Sequence, residues 1–197
     1  GHLLGAGHTV VVTTRTRDRA APLIDRGAIW ADSPAAAADG ADVVCSIVGF
    51  PDDVEQVHLG PDGSLAAANP PGLLVDLTTS RPSLARRIAE AALSRGIGSV
   101  DAPVSGGDVG ARNATLSIMV GGRDEDVARA MPVFESLGSR IVHQGGPGAG
   151  QHCKMVNQIV IAASMIGTIE GLRYAEGAGL DRATVLESIS AGAAGSW

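Results

Sequence analysis

The chain has 197 residues, of which 45% are apolar and 27 are glycine, and its net charge is −6. This composition is typical of a globular protein and is long enough for one domain and part of another. The negative charge and the lack of a basic run argue against a nucleic-acid-binding surface.

Three further expectations follow from the composition. No membrane span is expected, because the apolar runs look too short or are interrupted by glycine. The two cysteines, Cys45 and Cys153, lie in apolar segments without metal-ligand spacing. We therefore predict no metal site, and we interpret both cysteines as reduced core thiols of a cytoplasmic protein.

In chain order, the sequence alternates buried strands with helices. Strands are predicted at His8–Thr14, Ala28–Trp30, Asp42–Val48, Leu73–Leu77, Ile97–Ala102, Leu116–Val120 and Arg140–His143. Helices are predicted at Asp18–Arg26, Ser33–Gly40, Asp52–His58, Pro82–Arg95 and Asp124–Leu137. Such alternation predicts an α/β fold, a doubly wound Rossmann-type domain with a mostly parallel sheet.

No strand pattern follows Gly150, so we predict two domains, at residues 1–145 and 146–197. The second begins with a long connecting helix that opens an all-α domain. The chain starts with GHLLGAG, which resembles the end of a glycine-capped helix, and it stops directly after a helical segment. We therefore expect a fragment of a longer protein.

The stretch 145–161 (GGPGAGQHCKMVNQIVI) carries the strongest functional signal. A glycine-rich turn leads into an apolar helix in which Lys154, Asn157 and Gln158 share one face. A lysine in the first turns of an apolar helix opposes both the helix dipole and burial, so a substrate anion is one candidate partner. The alternative is an ordinary surface lysine with a buried stem.

Residues that follow the strands are also candidates, because ligands bind at the carboxyl ends of the strands in such sheets. Arg15 follows the first strand with no neighbouring acid, which favours the 2′-phosphate of NADP over NAD; a solvated arginine is the alternative. Ser105, Gly106 and Gly107 offer a hydroxyl and backbone amides to a carboxylate, although this loop could also be a plain glycine turn.

Segments 101–107 (DAPVSGG) and 148–158 (GAGQHCKMVNQ) together resemble the β-hydroxyacid dehydrogenases. That family includes 3-hydroxyisobutyrate dehydrogenase, tartronate semialdehyde reductase (2-hydroxy-3-oxopropionate reductase) and 6-phosphogluconate dehydrogenase. The resemblance implies that Lys154 is the catalytic residue. It implies that the substrate is bound by Ser105, Gly106, Gly107, Asn157 and Gln158. It implies that NADP, or alternatively NAD, is bound by Arg15, Val48, Gly49 and Thr79.

Two departures from the family pattern qualify the resemblance. Val48-Gly49-Phe50 stands where many members have a Leu-Pro cofactor contact, so backbone contact alone is expected there. The family's first strand and glycine fingerprint would precede Gly1, and the rest of its C-terminal domain would follow Trp197. We therefore expect this chain to be inactive by itself.

The resemblance implies an oxidoreductase that transfers a hydride between nicotinamide and a short β-hydroxyacid or its semialdehyde. Lys154 would be the general acid–base, and the intact protein would be a cytoplasmic homo-oligomer such as a dimer. The alternative function is a non-catalytic NADP-binding or interaction module.

Overall fold

The computed structural model describes residues 1–195, so the last two residues of the predicted second domain lie outside the described residues. The chain divides into two compact units, Gly1–Lys154 and the part from Met155 onwards. The division between the two units lies after Lys154, whereas the sequence predicts a domain boundary after residue 145. That predicted boundary stays a prediction.

The strands are β1 (Val11–Val12), β2 (Ile29–Trp30), β3 (Val43–Ser46), β4 (Leu73–Asp76), β5 (Gly98–Asp101), β6 (Val104–Ser105), β7 (Leu116–Gly122) and β8 (Gly138–Gly145). The helices are α1 (His2–Gly5), α2 (Ala21–Ile24), α3 (Pro34–Ala38), α4 (Pro51–Leu59), α5 (Pro82–Leu93), α6 (Gly107–Asn113), α7 (Asp124–Glu135), α8 (Ala149–Gly177) and α9 (Arg182–Ser190). Short 3₁₀ turns occupy Arg17–Ala20 and Ser64–Ala66.

The first unit contains a six-stranded sheet and a separate two-stranded parallel sheet formed by β1 and β2. In the larger sheet β3, β4 and β5 are parallel neighbours, and β8 runs parallel to β7. The pairings of β7 with β5 and with β6 are antiparallel. The prediction of a mostly parallel Rossmann-type sheet is confirmed.

Helices cover both faces of the large sheet, as alternate residues of β4 show. Leu73 and Val75 pack in one apolar cluster with Phe134 of α7. Leu74, which points to the other face, packs in a second cluster with Leu84 and other residues of α5 and α4. A strand that is buried on both faces requires a continuous apolar run, which is what made β4 recognisable in the sequence.

Each predicted strand and helix corresponds to an observed element, but several ends differ. The helix predicted at Asp18–Arg26 is instead a 3₁₀ turn followed by α2. Pro22 explains the difference, because it has no N–H to donate into a helix that started at Asp18. The predicted strand at His8–Thr14 is reduced to β1, which pairs with β2 over two residues.

Ser105, Gly106 and Gly107, which the sequence predicts as a loop, lie in a segment that contains β6 and the short helix α6. Gly106 and Gly107 have φ angles of 130° and 61°, a conformation that glycine adopts without steric cost. They turn the chain sharply from β6 into α6. The three glycines and two valines of this segment give no apolar period from which the helix could be predicted.

Neither cysteine belongs to the core: Cys45 is exposed and Cys153 is intermediate in exposure. The interpretation of both as core thiols was therefore wrong. Cys45 lies on β3, which pairs only with β4 among the described strands, so this edge of the sheet is less covered than its centre.

Helix α8 is a continuous 29-residue helix, since Gly167 and Gly171 lie within it and do not end it. Within the described residues it is the one helix that is long and apolar enough, by length and composition, to cross a membrane. The expectation that no apolar run was long enough was therefore wrong. A single such helix is weak support for a membrane span, because core helices of soluble proteins pass the same test.

The second unit consists, in its described secondary structure, of the remainder of α8 and of α9. Asp181 caps α9 by accepting a hydrogen bond of 2.9 Å from the backbone N–H of Thr184. A helical region therefore follows the α/β unit, as predicted.

Candidate functional site

The carboxyl ends of β3, β4 and β5 meet at one edge of the sheet, and the segment after β4 passes along it. In this segment Thr78 and Ser80 are buried, whereas Thr79 between them is exposed. The predicted cofactor contact at Thr79 therefore lies on the accessible side of the segment. Its two neighbours hold the segment in place.

Thr78 is fixed by hydrogen bonds to the end of β4 and to a residue that follows β3. Its backbone N–H donates to Oδ1 of Asp76 over 3.1 Å, and its Oγ1 accepts from the backbone N–H of Val48 over 3.0 Å. The amide of Val48, a predicted cofactor residue, is thus already used within the protein. Gly49, the next residue, is exposed.

A buried polar network continues from Asp76 into the protein. Ser46 donates to Oδ1 of Asp76 over 2.8 Å and lies 2.8 Å from Nε2 of His58. Nδ1 of His58 lies 2.8 Å from Oγ of Ser64. Burial lowers the pKa of His58, and the charge of Asp76 opposes this shift. His58 could not be singled out from the sequence, since a single histidine in an amphipathic helix carries no functional pattern.

Asp101 anchors the beginning of α8 at the carboxyl end of β5. Its carboxylate accepts from the backbone N–H of Gly148 over 2.7 Å and from that of Gln151 over 2.9 Å. Burial raises the pKa of Asp101, these two hydrogen bonds oppose the shift, and the charge of Asp76 adds to it. The carboxylate thus satisfies two helix N-terminal amides that have no partner within the helix.

Two glycines allow α8 to approach the sheet this closely. A Cβ on Gly150 would lie 2.6 Å from the backbone oxygen of Asp101 and would also collide with the backbone oxygen of Met119. A Cβ on Gly121 of β7 would lie 2.6 Å from the backbone nitrogen of Gly150. The glycine-rich approach noted in the sequence therefore has a packing function.

Lys154 is the only lysine in the sequence. It is 8% exposed, and its Nζ donates a hydrogen bond of 2.8 Å to the backbone oxygen of Val104. Burial lowers its pKa. This side chain is therefore not an ordinary surface lysine, because its amine is largely removed from water and held at one position.

The contact with Val104 places the Lys154 amine beside the predicted substrate loop, since Ser105 is the next residue. Ser105 is half-buried in β6, whereas Gly106 and Gly107 are exposed. A titratable amine, a hydroxyl and two accessible backbone positions thus lie together at one edge of the sheet. Such a set can bind a carboxylate and transfer a proton to a neighbouring oxygen.

Three further residues of the predicted site, Arg15, Asn157 and Gln158, have other surroundings. The side chain of Arg15 is 85% exposed and forms a 3.3 Å ion pair with Asp53, which also accepts from the backbone N–H of Phe50. Asn157 and Gln158 belong to the second unit, so their role in substrate binding stays a prediction. Within residues 1–195 there is no group of three or more His, Cys, Asp or Glu side chains that could hold a metal ion.

Comparison with protein-family models identifies the chain. Residues 1–146 match the NAD binding domain of 6-phosphogluconate dehydrogenase, and residues 148–197 match the NAD-binding domain of NADP-dependent 3-hydroxyisobutyrate dehydrogenase. The chain belongs to the β-hydroxyacid dehydrogenase family. The resemblance found in the two sequence motifs is thereby confirmed.

Individual proteins are similar to this member of the β-hydroxyacid dehydrogenase family along its whole length. An uncharacterized oxidoreductase of Bacillus subtilis (strain 168) is 50% identical over 196 residues, which are 100% of this chain and 68% of that protein. The 3-hydroxyisobutyrate dehydrogenase of Pseudomonas aeruginosa is 42% identical over 196 residues, and the chain covers 66% of it. The chain thus spans about two thirds of the length of these relatives.

A solved structure of Mycobacterium tuberculosis 3-hydroxyisobutyrate dehydrogenase with L-serine resembles this fold closely. The TM-score is 0.89 at 35% sequence identity, and the match covers 100% of this chain and 66% of that one.

The residues at the sheet edge fit a nicotinamide cofactor. Thr79 is exposed between two buried neighbours, and the hydroxyl of Ser80 is buried with no hydrogen-bond partner among the described residues. Buried hydroxyl groups without a hydrogen-bond partner are rare in protein interiors. The Ser80 hydroxyl is therefore consistent with a polar ligand that binds at this edge of the sheet. Arg15, which follows β1, has an exposed guanidinium, but the structure places the carboxylate of Asp53 beside it, so an anionic ligand there would share or replace that ion pair.

Proposed function

We propose that the protein is an NAD(P)-dependent oxidoreductase that acts on a short β-hydroxyacid or its semialdehyde, with a substrate such as 3-hydroxyisobutyrate or tartronate semialdehyde. The observation that carries the proposal is the position of Lys154. Its amine has a lowered pKa and is hydrogen-bonded next to the loop of Ser105, Gly106 and Gly107. The family relationship supports the same class of reaction.

The bound nicotinamide supplies the hydride acceptor or donor. The chain's own residues bind and orient the substrate. Ser105 and the backbone amides at Gly106 and Gly107 hold the substrate carboxylate, while Asn157 and Gln158 orient the reacting group. Lys154 exchanges a proton with the substrate oxygen, accepting it in oxidation and returning it in reduction.

Lys154 suits this role because its pKa is displaced towards the working range of an acid–base catalyst. Removal from water disfavours the charged ammonium, so the neutral amine is more accessible than in a free lysine. A group that must both give and take a proton works best when neither form is strongly preferred.

For the cofactor, we propose that Arg15 binds the 2′-phosphate of NADP and that Thr79 lies beside the nicotinamide. The carbonyl of Val48 and the exposed Gly49 complete the contact. Arg15 follows β1 as expected for a residue at the ribose. We further propose a cytoplasmic location and a homo-oligomeric state; the first is supported by the two free cysteines and the second by the family resemblance.

The deciding test is Lys154→Ala in the full-length gene product. We expect kcat to fall by roughly 10²–10⁴-fold, the usual contribution of a general acid–base, while NADPH affinity is retained. Lys154→Arg should restore little, because arginine does not release its proton at working pH. A kcat within about threefold of the parent would contradict the proposed role of Lys154. A parent protein that binds NADPH but turns over no β-hydroxyacid would instead favour the non-catalytic binding module.

A second measurement tests the amine without turnover. Only a neutral amine reacts with acylating reagents, so the pH dependence of Lys154 labelling, followed by peptide mass spectrometry, reports its pKa. We expect the midpoint to lie below the ordinary lysine value of about 10.4. Half-labelling at that ordinary value would remove the electrostatic basis of the proposal.

A further inference from the structure

Gln151 is a buried polar side chain in the first turn of α8 to which the reaction assigns no role. It is 0% exposed. Its Oε1 accepts from the backbone N–H of Ser80 over 2.8 Å, and its Nε2 donates to the backbone oxygen of Thr78 over 2.7 Å. Both ends of one amide are therefore bonded to the backbone on either side of Thr79.

The segment from Thr78 to Ser80, which is hydrogen-bonded to Gln151, also forms hydrogen bonds to other parts of the protein. Asp76 accepts from the N–H of Thr78, and the N–H of Val48 donates to the Thr78 hydroxyl. These bonds fix the segment to the end of β4 and to the residues that follow β3, and the Gln151 amide fixes it to α8. The backbone on both sides of the exposed Thr79 is therefore hydrogen-bonded to that helix.

Gln151 is itself fixed at the helix end. Its backbone N–H donates to Oδ2 of Asp101 over 2.9 Å, at the point where Gly150 lets the helix meet the sheet. Lys154 follows three residues later and therefore lies on the same face of the helix. One residue thus connects the helix that carries the amine to the segment that carries Thr79.

We propose that Gln151 is a positioning residue, which holds Lys154 at a fixed distance from the Thr79 segment and so aligns the substrate oxygen with the nicotinamide. This inference rests on the proposed function, because it takes Lys154 as the acid–base and Thr79 as a cofactor contact. Gln151 acts through these two residues, since both polar atoms of its side-chain amide are already hydrogen-bonded to backbone groups. Misplacement of reacting groups by about 1 Å costs on the order of 10²-fold in rate.

The first test is Gln151→Met in the full-length gene product, with Gln56→Met as the matched control. Methionine has a similar length and no hydrogen-bonding amide, and Gln56 is an exposed residue of α4. At a temperature where circular dichroism shows complete folding, we expect Gln151→Met to lower kcat by roughly 10–100-fold. The dissociation constant for NADPH should stay within about threefold, because no direct contact is lost. The control should match the parent.

The second variant, Gln151→Glu, separates positioning from simple loss of packing. An ionised carboxylate still accepts from Ser80 but faces the Thr78 oxygen without a proton to donate. Its protonated form can donate there and restores both bonds. We therefore expect kcat to be low at high pH and to recover as the pH is lowered, through an ionisation that the parent lacks.

The third measurement needs neither cofactor nor turnover. Hydrogen exchange of the Ser80 amide in the cofactor-free protein should be slow in the parent and in Gln56→Met. It should be faster in Gln151→Met, because its acceptor is removed. An unchanged exchange rate would show that this hydrogen bond does not hold the segment.

The outcomes of these tests distinguish this inference from the proposed function. If Lys154→Ala loses activity but folded Gln151→Met keeps the parental kcat, the positioning role is wrong and the enzyme assignment stands. If Lys154→Ala is itself fully active, the proposed mechanism fails and this inference fails with it. If Gln151→Met does not fold, Gln151→Glu decides, and a kcat without pH-dependent recovery overturns the proposal.

Discussion

Replacing Gly150 with alanine tests whether the close contact between α8 and the sheet is required. In an ordinary helix this change would stabilise the protein by about 1 kcal/mol, because glycine is a poor helix former. Here the new Cβ would lie 2.6 Å from the Asp101 backbone oxygen and would collide with the Met119 backbone oxygen. Both obstacles are main-chain atoms, which cannot rotate away.

The expected size follows from these opposing effects. Inserting a methyl group into a well-packed region costs about 1–3 kcal/mol, and immovable neighbours place this case at the upper end. Subtracting the helix-propensity gain of about 1 kcal/mol leaves a net loss of about 2 kcal/mol. A loss of this size lowers Tm by about 4–8 °C in a domain of 150–250 residues and by less in a longer protein, so the free energy of unfolding is the quantity to compare.

The assay is urea and thermal unfolding of the full-length gene product, followed by circular dichroism, with Gly146→Ala as the control. Gly146 lies four positions earlier, and a Cβ there would meet nothing within 4 Å. We expect the control to be neutral or more stable by up to about 1 kcal/mol. Equal stability of Gly150→Ala and the parent would refute the idea that backbone contact sets the position of α8.

Three further predictions concern individual side chains. Arg15→Ala should weaken NADPH binding by about 1.5–3 kcal/mol and leave NADH binding nearly unchanged; equal losses in a titration of both cofactors would exclude a 2′-phosphate contact. Ser105→Ala should raise the substrate KM by about tenfold without altering cofactor affinity, and an unchanged KM would show that the hydroxyl does not bind substrate. The more drastic Gly106→Val is unsuitable, since φ at Gly106 is 130° and valine would be strained there. Because burial lowers the pKa of His58, its ring should remain neutral below pH 6.5 in an NMR titration. The unfolded chain takes up that proton, so this residue's contribution should make the protein less stable as pH falls below about 6.5; a ring that titrates at its ordinary value would contradict this.

The parts of the fold that could be predicted from sequence are those with a continuous physical signal. Strand β4 is an unbroken apolar run because both of its faces are covered, and α5 shows its buried side through Leu84, Ile88 and Ala92. Lys154 could be singled out because a lone basic residue in an apolar helix is costly. The structure then placed its amine beside Ser105, which no spacing in the sequence specifies.

The parts that could not be predicted depend on contacts between distant residues. Asp101 resembles any acid at a strand end until the amides of Gly148 and Gln151 are brought to it. His58 acquires its environment from Ser46 and Ser64, which lie on other elements. Sequence periodicity reports which residues face a core, but it does not report which polar partners meet there.

The arrangement around Thr79 has a consequence for how the protein can diverge. The hydrogen bonds that hold this segment are made by its two neighbours, Thr78 and Ser80, and by backbone atoms. The side chain at position 79 is exposed and carries none of them. Exposed substitutions of this kind usually change stability by less than about 0.5 kcal/mol. Position 79 can therefore accept new residues, and with them new ligand contacts, without loss of the scaffold that presents them.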